Sequence, residues 1–209
     1  MKYLVLIGDI VASRELSARS LFQRRLKGVL QTLSSQRKAL ASPYTLTLGD
    51  EFQAVYRDAE TVFADVFTLL GEIAPVRARF ALAVGEIVTP INTTHAIGMD
   101  GPAFHRARAL LERLKAEKRL FGAQLSGEES DGLTTSLLNV LSGQVDGWKP
   151  TRLRLFAGLL AGRSVTEQAD ETDITVRAVN KNIRAAELDE WQLILQNISH
   201  SISQELKSP

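Results

Sequence analysis

Residues 45–56, Thr45-Leu46-Thr47-Leu48-Gly49-Asp50-Glu51-Phe52-Gln53-Ala54-Val55-Tyr56, constrain the fold more than any other stretch of the chain. Two runs of β-branched, aromatic and aliphatic residues flank Gly49-Asp50, the pattern of a β-hairpin with carboxylates at its tip. A second strand signal stands at the start of the chain. Tyr3-Leu4-Val5-Leu6-Ile7-Gly8 is an unbroken apolar run, short enough for a buried central strand, and it ends on Asp9. If that strand and the hairpin share a sheet, Asp9 and Asp50 converge at one edge. Unpaired carboxylates that converge in this way call for a cation, and a divalent metal is the expected one.

The spacing of the remaining segments predicts how the strands are connected. Leu21, Phe22, Leu26, Val29, Leu30 and Leu33 recur at helical intervals, predicting a helix over about 17–41 that Ser42-Pro43 stops. Val62, Phe63, Val66, Phe67 and Leu70 predict a second helix from about Asp58 to near Gly71 and Pro75, followed by a strand over 76–87. The order β-α-β-β-α-β is that of a ferredoxin-like or palm sheet. Gly101-Pro102 opens a third helix, Lys115 to Arg119 form its charged end, and residues 121–126 read as a further short strand.

Beyond the polar stretch at 127–132 the chain changes character, and the expected boundary divides residues 1–128 from 129–209. Helical patterns cover about 133–141 and 151–161. Ser164 caps another over 165–172, and Thr175 caps one that runs from Val176 through Trp191, Ile194 and Ile198 as one long helix or a pair. Residues 165–184 fit a helix-turn-helix, within a unit of about 151–186. Ala169 stands where the two helices touch, Ile174 anchors the turn, and Val179 and Ile183 form the buried face. Asp173 occupies the turn position where glycine is common. Arg177, Asn180, Lys181 and Arg184 are left for a major groove: arginine can read guanine, asparagine adenine, and lysine suits phosphate. A helical bundle used for dimerisation is the alternative, because acids at Glu167, Asp170, Glu171, Asp173, Glu187, Asp189 and Glu190 surround the basic helix.

Composition narrows the chemistry. The 209 residues are 44% apolar and 23% charged with a net charge of +1, an ordinary globular composition with no general affinity for polyanions. The absence of cysteine excludes disulfides, thiolate catalysis and cysteine-ligated metals. The N-terminal apolar run of about seven residues ends on an acid without a cleavage site, and later apolar runs fall short of the ~20 residues of a membrane helix. A cytoplasmic protein without membrane contact is expected.

Gly8-Asp9-Ile10-Val11, Leu48-Gly49-Asp50-Glu51-Phe52, Phe80-Ala81-Leu82-Ala83-Val84-Gly85-Glu86 and Gly101-Pro102-Ala103 resemble, in order, the metal strand, metal hairpin, following strand and helix entry of class III nucleotidyl cyclases. The hairpin also resembles that of diguanylate cyclases, with Leu48 in place of its first glycine. Over essentially its full length the chain resembles the SatD family, which joins such a domain to a C-terminal helix-turn-helix. The resemblance implies Mg²⁺ or Mn²⁺ at Asp9 and Asp50, holding a triphosphate for in-line displacement. It also implies an asparagine and an arginine on the third helix, where this chain has His105 and Ala109. Arg108 lies about 100° round that helix from the arginine position.

The expected protein is thus α+β, a DNA-binding regulator, working as a homodimer, whose catalytically degenerate cyclase-like domain senses a nucleotide or a divalent metal. Gly49, Glu51, Ser13 and Arg14 are the candidate nucleotide contacts, although Ser13-Arg14 also fits a simple turn and Asp50-Glu51 a solvated one. One alternative is an active Mg²⁺- or Mn²⁺-dependent nucleotidyl cyclase or transferase with His105 or Arg79 at its transition state. A structural or protein-interaction domain is the other.

Overall fold

The computed structural model describes residues 1–47, 49–125 and 128–208, and only the backbone of 128–131. Leu48 of the expected hairpin, and Ser126 and Gly127 beyond the expected last strand, lie outside the described residues. The fold is α+β, with five strands and eight α-helices among the described residues. Its first part runs β1 (Lys2–Ile10), α1 (Arg19–Gln36), β2 (Leu40–Leu46), β3 (Glu51–Tyr56), α2 (Val62–Ile73), β4 (Ala78–Glu86), α3 (Pro102–Glu117) and β5 (Phe121–Gln124). Five helices follow: α4 (Glu128–Asp146), α5 (Pro150–Leu160), α6 (Val165–Thr172), α7 (Val176–Ala185) and α8 (Leu188–Lys207).

The strands form one mixed sheet in the order β2-β3-β1-β4-β5. The apolar strand β1 is central and antiparallel to both neighbours, and β5 lies parallel to β4. Burial on both faces explains its unbroken apolar run. Val5 and Ile7 point with Val55, Ala81 and Ala83 toward Ala107, Leu110, Leu111 and Leu114 of α3. Leu4 and Leu6 point with Phe52, Ala54 and Tyr56 into the larger core, which α1, α2 and the C-terminal helices cover. That larger core is continuous between the two parts of the chain. Phe67 of α2 meets Phe156 of α5 edge-on at 4.5 Å, Phe121 of β5 at 5.5 Å and Trp148 at 6.2 Å between ring centres.

Several boundaries differ from the sequence expectation. Helix α1 ends at Gln36 rather than near 41, because Leu40 and Ser42 pair with Tyr56 and Val55 in the hairpin. Ser42-Pro43 therefore lies inside β2. Proline is tolerated there because β2 is an edge strand whose register shifts on either side of Ser42. Helix α4 takes in residues expected to be a polar connection and continues to Asp146, where Leu138, Leu141 and Val145 are buried. Packing overrides the poor helix propensity of its glycines. The long C-terminal pattern is a pair of helices, broken at Ala186-Glu187, where Glu187 adopts a left-handed conformation.

Candidate functional site

Strand alternation builds the first site. Asp9 follows Val5 and Ile7 on the α3 side of the sheet, opposite Glu51 of β3 and Arg79 of β4 in the cross-strand register. One oxygen of Asp9 accepts a hydrogen bond from Arg79 Nη1 at 3.0 Å, and the other lies 3.6 Å from Lys115 Nζ. Glu51, only 6% exposed, accepts a hydrogen bond from Arg108 Nη1 and lies 3.4 Å from Thr47 Oγ1. Arg108 and Lys115 stand seven residues apart on α3, two helical turns, and so reach the sheet from the same side. The result is a row of alternating charge, Arg79, Asp9, Lys115, Glu51 and Arg108, laid between sheet and helix.

Electrostatics hold these cations charged. The hydrogen bond to Glu51 raises the Arg108 pKa against the effect of burial, with help from the charges of Glu51, Glu112 and Asp9. Burial alone would lower the Lys115 pKa, but its hydrogen bond to Glu112 and the charges of Asp9, Glu112 and Glu51 turn the net shift upward.

Asp50 is handled separately. The hydroxyl of Ser13, itself buried, donates to Asp50 Oδ2, and the Asp50 carbonyl accepts from Ile10 N at 3.0 Å. Gly49 adopts φ +76, and its carbonyl accepts from Gln23 Nε2 at 2.9 Å. Arg14 is exposed on the short 3-10 turn Ser13–Glu15, and neither it nor Arg19 beside Gly49 has an ion pair among the described residues. Of the expected nucleotide contacts, Ser13 and Glu51 are thus occupied by Asp50 and Arg108, while Arg14 is open.

Asp9 departs from the expectation of two unpaired carboxylates, because Arg79 and Lys115 face it; Asp50 has the Ser13 hydroxyl as donor and no ion pair among the described residues. Arg108 reaches Glu51 despite its rotation round the helix, since a long side chain spans that offset. Lys115, read from sequence as part of a charged helix end, is the residue that sequence reasoning missed; its two-turn spacing from Arg108 was the available signal. His105 is turned away: its side chain is 72% exposed, and Nε2 lies 2.8 Å from Asp100 Oδ1. As arranged, the residues do not fit a metal. Protein cations take both oxygens of Asp9, and among the described residues no three His, Asp or Glu side chains form a group able to hold a metal ion.

The C-terminal site is built from caps. Ser164 and Glu167 form a reciprocal capping box, Ser164 Oγ accepting from Glu167 N at 3.3 Å and Glu167 Oε2 from Ser164 N at 2.7 Å. The Ser164 hydroxyl, which also donates to Glu167 Oε2 at 2.7 Å, and the Ser164 N–H together lower the Glu167 pKa. Helix α6 ends at Asp173, which takes the left-handed conformation that glycine adopts most easily. Thr175 Oγ1 then accepts from Ala178 N at 3.2 Å and starts α7. Val179 and Ile183 are buried against α5, α6 and α8, whereas Arg177, Lys181 and Arg184 are exposed. Asn180 is half-buried, and its amide donates to the Val176 carbonyl at 3.1 Å.

These features define an α+β protein with a row of paired charges between sheet and helix and a C-terminal helical part in which α6 and α7 carry side-chain caps. The chain belongs to the SatD family, whose model matches residues 3–191. No curated protein matches it. Among solved structures it is similar to a bacterial light-regulated adenylyl cyclase, at 13% identity and a TM-score of 0.44, covering 58% of this chain and 74% of that one. A regulator of polyketide synthase expression from Bifidobacterium adolescentis matches at 12% identity and a TM-score of 0.27, covering 100% of this chain and 87% of that one. Among the described residues, no helix is long and apolar enough to cross a membrane.

Proposed function

We propose that the protein is a DNA-binding regulator, acting as a homodimer, in which residues 129–209 contact DNA and the sheet part, residues 1–128, senses a nucleotide. The observation that carries this reading is α7. Its apolar residues Val179 and Ile183 are buried, and three cations, Arg177, Lys181 and Arg184, are exposed on a helix that contains no acid. With α6 and the Asp173 turn this makes a helix-turn-helix, α7 entering the major groove. A single such helix makes few contacts, which is why the reading includes a dimer. On the sheet side, β1 to β4 with α1 and α2 form a ferredoxin-like module of cyclase type, and Arg19 beside the Gly49 turn, with the exposed Arg14 next to the Ser13 that bonds Asp50, suits a phosphate. His105 and Arg79 are engaged by Asp100 and Asp9, which supports a sensing rather than a catalytic role.

Selection from fragmented genomic DNA, followed by fluorescence anisotropy on the enriched duplex, tests the reading. Arg177→Ala is expected to cost about 1–3 kcal/mol on that duplex, and Lys181→Ala to weaken all duplexes alike and flatten the salt dependence. Absence of any enriched sequence, together with equal affinities for both variants and the parent, would sink the DNA-binding claim. Nucleotide uptake is tested separately by equilibrium dialysis with ATP, GTP, CTP and UTP, where Arg14→Ala is expected to lose binding.

A further inference from the structure

We propose that Lys115, with Arg79, takes the place of a divalent metal at Asp9, so that the acids between sheet and α3 are neutralised by the chain itself and do not take up a metal ion. The proposal concerns the charge row between sheet and α3 and does not rest on the sensing reading, which is built on Arg14 and Arg19 at the hairpin turn. Asp9 is only 13% exposed, and each of its oxygens faces a nitrogen cation, Arg79 Nη1 at 3.0 Å and Lys115 Nζ at 3.6 Å. Glu51, next to it in the cross-strand row, is satisfied by Arg108. A metal at this position would bring two more positive charges beside three that are already fixed, and would have to displace Lys115 from the carboxylate. Of the two cations that face Asp9, Lys115 is the one able to leave: it rises from α3 on a flexible stem and is 32% exposed, whereas Arg79 is 16% exposed and lies within the sheet.

Replacing that ammonium with an uncharged side chain of similar length should therefore open the position. Mn²⁺ binding to the full chain is followed by electron paramagnetic resonance, with the thermal midpoint in EDTA and in Mn²⁺ as a second readout that needs neither DNA nor nucleotide. The parent protein is expected to bind no Mn²⁺ in a saturable way and to melt at the same temperature in both. Lys115→Met is expected to gain a site at least about tenfold tighter than anything in the parent, since a fixed like charge has been removed from its edge. Adding Asp9→Asn to Lys115→Met should abolish the gained site. Saturable Mn²⁺ binding by the parent that Asp9→Asn removes would overturn the proposal. So would a folded Lys115→Met variant that gains nothing, because the lysine would then not be what fills the position. Should Lys115→Met fail to fold, the parent titration and Lys115→Gln decide the matter in the same way.

Discussion

Replacement of Asp65 tests how the sheet part is held together. Asp65 lies on α2 with no exposed surface, and accepts hydrogen bonds from Arg37 Nε at 2.5 Å and Tyr56 OH at 2.7 Å. The Tyr56 hydroxyl lies 2.5 Å from that of Tyr44, so one carboxylate ties the end of α1 to β2, β3 and α2. Breaking a buried ion pair by removing one partner costs about 3–5 kcal/mol. Here the lower end applies, because Arg37 keeps 22% of its side chain exposed and can turn to water, and the two tyrosines still have each other. Asp65→Ala should therefore lose about 3 kcal/mol, lowering the thermal midpoint by about 6–12 °C for a chain of this size. Asp65→Asn keeps a polar partner for Tyr56 and buries no charge, so its cost should be about 1–2 kcal/mol. The pH dependence carries a sign. Burial, only partly offset by Arg37 and Tyr56, raises the Asp65 pKa above the ordinary 3.8, so in the interval just above that value the native state holds more protons than the unfolded one. The parent should accordingly gain stability relative to Asp65→Asn as the pH falls toward 3.8. Urea unfolding followed by circular dichroism measures both effects. A loss below about 1 kcal/mol for Asp65→Ala, or a pH trend of the opposite sign, would refute the reasoning.

Three further substitutions probe other parts of the molecule. Gly8 lies beneath the ring of Phe52, and a Cβ there would stand 2.1 Å from Cζ; Gly8→Ala should cost about 1–3 kcal/mol or more, read by chemical denaturation. Phe67→Ala should lose about 3–5 kcal/mol, and because Phe67 touches both parts of the chain, fluorescence of Trp148 and far-ultraviolet dichroism should still report a single transition. Ser164→Ala removes half of the capping box and should cost about 0.5–2 kcal/mol at neutral pH. Since the Glu167 pKa is lowered in the native state, its share of that stability should be present above the ordinary 4.5 and fade as the pH falls through the native value, which thermal melts at several pH values will show.

Much of the local structure was written in neighbouring residues. The central strand is legible because burial on both faces demands an unbroken apolar run, and the start of α3 because Gly101-Pro102 punctuates it. Helix α6 begins at Ser164 for a reason confined to four residues, the exchange of hydrogen bonds between Ser164 and Glu167. The hairpin tip and its acids are equally local. What neighbouring residues could not supply was partner choice. Nothing near Asp9 in the chain announces Arg79 or Lys115, which arrive from β4 and α3 only when the sheet aligns its register and the helix lies across it. The same holds for the end of α1, where pairing of Leu40 with Tyr56 draws residues out of a helical pattern, and for α4, whose length follows from burial against β5. Short-range periodicity and capping are fixed by bonds between near neighbours and survive in any reading of the sequence. Charge compensation is long-range and depends on which side chains the completed fold brings within about 4 Å, so the tertiary structure alone decided that the acids between sheet and α3 meet cations of their own chain.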